Sequence, residues 1–153
     1  MPKIDLANVP ERLGSGYPAP FHETSPTRVR KALGDAAGLR DFGVNLTRLP
    51  PGEWSSQRHW HSDEDEFVYV VSGEVTLVTG KGREILRAGD CAAFAKGEPD
   101  GHHLINESGA DAVYLEVGTR SARDVCSYPD VDLHFDPKDE WYTRKDGALY
   151  PRR

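Results

Sequence analysis

The pattern of apolar and polar positions changes character near residue 42. Before it, Pro2, Pro10, Pro18, Pro20 and Pro26, with Gly14 and Gly16 between them, interrupt every apolar run. This predicts an extended N-terminal arm over 1–40, with at most one or two helical turns near 29–37. After it, short runs at 42–49, 66–71, 74–79, 84–87, 91–94, 102–106 and 112–117 read as strands. Turn residues separate them: Pro50-Pro51-Gly52, Ser72-Gly73, Gly80-Lys81-Gly82, Ala88-Gly89-Asp90 and Ser108-Gly109. Strands this short and evenly spaced predict an all-β sandwich or barrel over 41–120. A tail over 121–153 would pack on or near it. No internal repeat or low-complexity block is visible.

Composition narrows the function. A chain of 153 residues suits one domain with a real core and is short for two. The net charge of -6 argues against a nucleic-acid or membrane-surface role, since either wants a basic face. The tail cations Arg144, Lys145, Arg152 and Arg153 read as solvated. No apolar run approaches the roughly twenty residues of a membrane span, and the N-terminus lacks a signal peptide's apolar region. A cytoplasmic protein is the expectation. Cys91 and Cys126 fit no Cys-x-x-Cys pattern, and Cys91, in an apolar run, reads as a small buried residue.

The candidate chemistry lies at His59-Trp60-His61. Two histidines one residue apart share a face only on a strand, where side chains alternate. Their backbones are then roughly 7 Å apart, close enough for imidazoles to converge on one ion. Residues 62–65 would form a polar turn. Asp63, Glu64 and Asp65 read as its solvated acids, whereas Glu66 stands at the mouth of the apolar run Phe67-Val68-Tyr69-Val70-Val71. A buried carboxylate is costly unless a cation accompanies it. For a third imidazole there are two candidates, His102 and His103, which adjacent strand positions would point to opposite faces. His22 and His134 are isolated in polar segments and read as surface residues.

These residues resemble the cupin superfamily. Gly52, His59, His61, Glu66 and Gly73 match its first motif, with one extra residue after Gly52; Gly89, Gly97, His102 and Asn106 match anchors of its second. Ala95 stands where proline is usual, and four residues rather than two separate Gly97 from His102. The spacing from His102 to Asn106 is what selects His102 over His103. The resemblance implies a double-stranded β-helix (jelly roll, or cupin barrel) with His59, His61, Glu66 and His102 as ligands of a divalent transition metal: zinc, iron, manganese or nickel. Three neutral imidazoles and one carboxylate would leave the ion near +1, suited to an anionic or chelating oxygen ligand.

The expected function is therefore a small metal-dependent enzyme of the dioxygenase, isomerase or lyase type. Its substrate would be a polar, oxygen-rich small molecule. The alternative is a metabolite-binding or sensor barrel without turnover. No acid or base beyond the ligands is singled out; Gln57, Tyr69 and Arg48 are weak pocket candidates. A homodimer is expected, partly because Val29, Leu33 and Leu39 on the arm need a surface to cover them.

Overall fold

Alternation along one strand sets the architecture. On β5 (Glu66–Ser72) Val68 and Val70 are buried while Phe67, Tyr69 and Val71 face outward. The structure, a computed structural model, describes residues 2–153. Five strands join β5 in an antiparallel sheet: β1 (Glu11–Leu13), β2 (Val29–Ala32), β3 (Phe42–Leu49), β8 (Cys91–Phe94) and β10 (Ala112–Thr119), in the order β1-β2-β3-β10-β5-β8. A second sheet runs β7-β6-β9, from β6 (Glu74–Thr79), β7 (Gly82–Arg87) and β9 (His103–Ile105). Leu49, Val68, Val70, Ala112 and Tyr114 from the first sheet pack against Val75, Leu77, Leu86 and Leu104 from the second. This is the two-layer core of a jelly roll.

The strands expected at 42–49, 74–79 and 91–94 occupy those residues, and the others differ by a residue or two at their ends. Gly73 makes the β5–β6 turn at φ +72°, where a Cβ would lie 2.7 Å from the Asp111 carbonyl oxygen. Both the backbone conformation and the space exclude a side chain there.

The flanks are more structured than the sequence pattern suggests. Residues 29–32 form β2 rather than a helical turn, because β3 offers a full antiparallel ladder from Val29↔Arg48 to Ala32↔Asn45. Only α1 (Leu33–Ala36) is helical there. The arm thus extends its own barrel's sheet and buries Val29 within the chain, while Leu39 stays exposed.

The tail supplies β11 (Cys126–Ser127), β12 (His134–Phe135) and β13 (Tyr142–Thr143), which line up as β13-β12-β11-β4 beside β4 (Trp60–His61). Tyr17 from the arm and Cys126, Tyr128, Leu133 and Tyr150 from the tail make a second core. Two tail cations are not merely solvated: Arg144 lies 4.5 Å over the Tyr150 ring and Arg152 4.6 Å over Trp141. Cys91 is exposed rather than buried, since it pairs with Tyr69 and shares that residue's outward face. No helix among the described residues is long and apolar enough to cross a membrane.

Asn106 ties the end of β3 to the loop before β10 without touching the histidines. Fully buried, it donates from Nδ2 to the carbonyls of Leu49 (2.7 Å) and Ala110 (2.8 Å), and its Oδ1 accepts from Ser108 N–H and Oγ–H. Truncation would orphan the carbonyl of fully buried Leu49, at about 1–3 kcal/mol, and strip the Ser108 donors of their acceptor. Asn106→Ala should therefore lower unfolding stability by at least about 2 kcal/mol in urea titration, and a loss within ±0.5 kcal/mol would show that the loop does not depend on it.

Candidate metal centre

His59 and His61 reach one space from the same face of a short, irregular segment. β4 begins only at Trp60, but His59 is held by a reciprocal backbone bridge to His102: His59 N–H donates to His102 O at 3.1 Å, and His102 N–H to His59 O at 2.9 Å. That bridge seats the third imidazole beside the first. The His59 ring centroid lies 4.9 Å from those of both His61 and His102. Glu66, at the start of β5, closes the group. Its Oε2 is 2.6 Å from His102 Nε2 and 3.6 Å from His59 Nε2, and its Oε1 is 3.4 Å from His61 Nε2. The four residues named from the sequence meet, each histidine presenting Nε2.

The opposite ring nitrogens explain that orientation. His59 Nδ1 lies 2.8 Å from the Gln57 carbonyl, which can only accept, so a proton sits on Nδ1 and Nε2 is the nitrogen turned toward Glu66. His61 Nδ1 is 2.6 Å from Asp124 Oδ2, an orienting carboxylate of the kind that fixes metal-ligating imidazoles. Phe94 stacks flat on His102, with centroids 3.5 Å apart. The donor set suits a divalent transition ion. Ligand atoms of His59, Glu66 and His102 lie within 4.8 Å of one another. Cys126 lies within the same reach of His59 and His61, and without an ion burial drives its thiol pKa upward.

His103 turns away. Its Nδ1 contacts the Ser56 carbonyl at 2.9 Å, and its ring meets Trp54 edge-on. The two extra residues before His102 form a loop pinned by Arg58, which donates to the Gly101 carbonyl and pairs with Asp130 at 2.7 Å. Asp100 accepts from Gly80 N–H at 2.6 Å. Thus the lengthened loop leaves His102 in line with His59.

Above the histidines opens a cavity of about 570 Å³ lined by barrel, arm and tail. Glu64 lines it, so one of the acids read as solvated is partly enclosed; its carboxylate accepts from Ser121 N–H at 2.8 Å. The weak candidates fall elsewhere. Gln57 is buried but donates to Phe21 O and Thr24 Oγ1, Tyr69 faces outward, and Arg48 pairs with Asp111 on the surface. His22 and His134 are half-buried and do not line the cavity. Asp124, Arg28, Arg30 and Tyr128 were not singled out by the sequence, because they lie outside the motif in segments with no strand signal.

Electrostatics tie the cluster together. Burial resists ionisation of Glu66, but hydrogen bonds from His102, His59 and His61 outweigh it and hold the carboxyl well below its usual range. Burial likewise opposes a charged His61, yet Glu66 and Asp124 together push its pKa up to about 9. His102 is lowered by burial, against the pull of Glu66. Without an ion, the positive charge facing Glu66 is thus a proton on His61. A raised folded pKa stabilises fully below the ordinary value of 6.5 and the gain is lost as pH rises through about 9. Metal-stripped protein should lose stability to denaturant between pH 6.5 and 9, and Asp124→Asn should move that decline to lower pH. A flat wild-type profile over that window would refute the assignment.

Comparison with known proteins follows the same lines. The family model of the cupin domain matches residues 45–118. A sugar phosphate isomerase of the cupin superfamily from Silicibacter pomeroyi is 43% identical, with 98% of this chain and 97% of that one covered at a TM-score of 0.91. A candidate sugar phosphate isomerase from Acidithiobacillus ferrooxidans is 31% identical over 83% of this chain and 82% of its own, at a TM-score of 0.71. A polyketide cyclase from Streptomyces resistomycificus shares the fold at 16% identity, covering 78% and 79% with a TM-score of 0.62. No curated protein sequence matches significantly. With its ligand-type residues, its two-layer barrel and these relatives, the chain belongs to the cupin superfamily.

Proposed function

We propose that His59, His61, Glu66 and His102 hold a divalent transition ion, and that the protein is a metal-dependent isomerase of a polyhydroxylated carbonyl compound. One observation carries this: three imidazole Nε2 atoms gather on one carboxylate at a cavity large enough for a small sugar. The names of the two relatives above 30% identity support the isomerase class over dioxygenase or lyase. When bound, the ion supplies Lewis-acid polarisation of adjacent carbonyl and hydroxyl oxygens.

The chain's residues would do the rest. Asp124 keeps the proton of His61 on Nδ1, and the Gln57 carbonyl does the same for His59. Aldose–ketose interconversion also needs a group to hold a proton between neighbouring carbons. Glu64 suits that role: it lines the cavity, and burial raises its pKa against the opposing Ser121 N–H hydrogen bond. Tyr17, Tyr128 and Tyr142, packed ring against ring, wall the cavity with apolar surface and limit its water.

Protein loaded in turn with iron, manganese, nickel and zinc should interconvert an aldose and its ketose, read by proton NMR in D2O. Glu66→Gln should lose metal on dialysis, and Glu64→Gln should keep the metal but lose 10²–10⁴-fold in rate. Metal retention with no turnover of free or phosphorylated sugars would instead favour a barrel that captures a metabolite without converting it.

The outward face of β5 supports a homodimer. Phe67, Tyr69 and Val71 are exposed there with Phe42, beside the edge strand β8. Light scattering should give twice the chain's 17.0 kDa, and Phe67→Glu should halve it. A monomeric wild type would exclude this assembly.

A further inference from the structure

The same cavity contains a second polar group that the metal site does not use. β2, β3, β10 and β5 run side by side, and their register sets inward residues in rows. Glu66 lies opposite Gly118, Val68 opposite Glu116, and Val70 opposite Tyr114; Tyr114 in turn faces Thr47, and Thr47 faces Arg30. Tyr114 and Arg30 therefore sit four residues along the sheet from the Glu66 row, about 13 Å at the backbone. Arg28 enters just before β2. Arg28, Arg30, Tyr114 and Glu116 all line the cavity.

Their charges and hydrogen bonds do not balance. Arg28 is buried, at 6% exposure, and its guanidinium meets only neutral acceptors: it donates to the carbonyls of Ser55 and Gly14. Arg30 pairs with Glu116 at 3.0 Å, and Glu116 also accepts from Thr47 Oγ1 at 2.9 Å. Glu116 thus pairs with Arg30, and no carboxylate among the described residues forms an ion pair with Arg28, which leaves a positive charge in a partly dry wall. Burial, followed by the Arg30 charge, lowers the pKa of Arg28, as expected of cations lacking a full complement of anions. Arg28 Nε, Arg30 Nε and the Tyr114 hydroxyl, all buried, have no hydrogen-bond partner. Buried polar groups are rarely left unpaired without a reason.

We propose that Arg28, Arg30 and Tyr114 form a phosphate-binding subsite, which makes the substrate a phosphorylated sugar with its phosphate on the arm side and its carbonyl end at the histidines. Two guanidiniums and a phenol give donors from three side chains, matching the three terminal oxygens of a phosphate monoester better than the two of a carboxylate. Glu116 would keep Arg30 in place while Arg28 supplies the uncompensated charge. The proposal rests on the isomerase reading for the remainder of the substrate.

The test uses metal-stripped full-length protein, so a failure here leaves the metal-dependent isomerase standing, and the reverse. Inorganic phosphate should raise the melting temperature more than sodium chloride or acetate of equal ionic strength, and calorimetry should show one site. Arg28→Gln and Arg30→Gln should each weaken phosphate at least about tenfold, and Tyr114→Phe severalfold, because each removes a donor to an anion. Circular dichroism checks folding. If Arg28→Gln unfolds through loss of its Gly14 and Ser55 contacts, Tyr114→Phe, which deletes one oxygen, decides. No phosphate-specific stabilisation of the wild type, acetate acting as strongly as phosphate, or Tyr114→Phe binding like wild type would each overturn the subsite.

Discussion

The site is organised around a carboxylate at the start of β5 that cannot be left alone. Glu66 lies among His59, His61 and His102, and its charge demands a positive partner in that enclosed space. A proton on His61 can provide it, and so can an ion, which makes the two competitors for the same place. Everything near the site holds these four side chains in register. The His59–His102 backbone bridge aligns two imidazoles, Phe94 fixes the plane of the His102 ring, and Asp124 orients His61 from the tail. Rigid support of this kind is what separates a ligand set from a collection of nearby polar residues.

The barrel alone would supply only part of the cavity. Its two sheets enclose an apolar core, and the histidines stand at one end of it. Arm and tail then meet in a second, aromatic core and raise the walls. The arm contributes cations through β2, while the tail contributes Asp124, Cys126, Tyr128 and Tyr142. The chemistry conferred by the motif and the selectivity conferred by its surroundings are therefore carried on different stretches of chain.

That division explains what could be read from the sequence. Between residues 42 and 119, local signals agree with tertiary structure: alternation on β5, turn glycines such as Gly73, and His-x-His parity all point the same way. Only the family spacing distinguishes His102 from His103 in the sequence; in the fold His103 is engaged by Ser56 and Trp54. Strands of two residues carry no periodicity, so β4 within that span and β11 to β13 beyond it exist only because other strands pair with them. The strand at 29–32 has no local signature beyond an extended arm, because pairing with β3 is what makes it. Glu64 looked solvated for the same reason: the Ser121 amide that receives it lies in the tail.

The pairing of β4 with β11 also bears on how the molecule reaches this state. His61 and Asp124 are 63 positions apart, and the register Cys126↔His61 closes a loop that spans most of the barrel. Loop-closure entropy disfavours such contacts relative to a local hairpin such as β6–β7. The ladder of β3 with β10 closes loops as long, from Ala112↔Leu49 to Thr119↔Phe42, so closing the barrel and seating His61 meet the same entropic cost. A chain without that closure holds the ligating residues without their final geometry, and an ion that needs all of them would favour the closed fold.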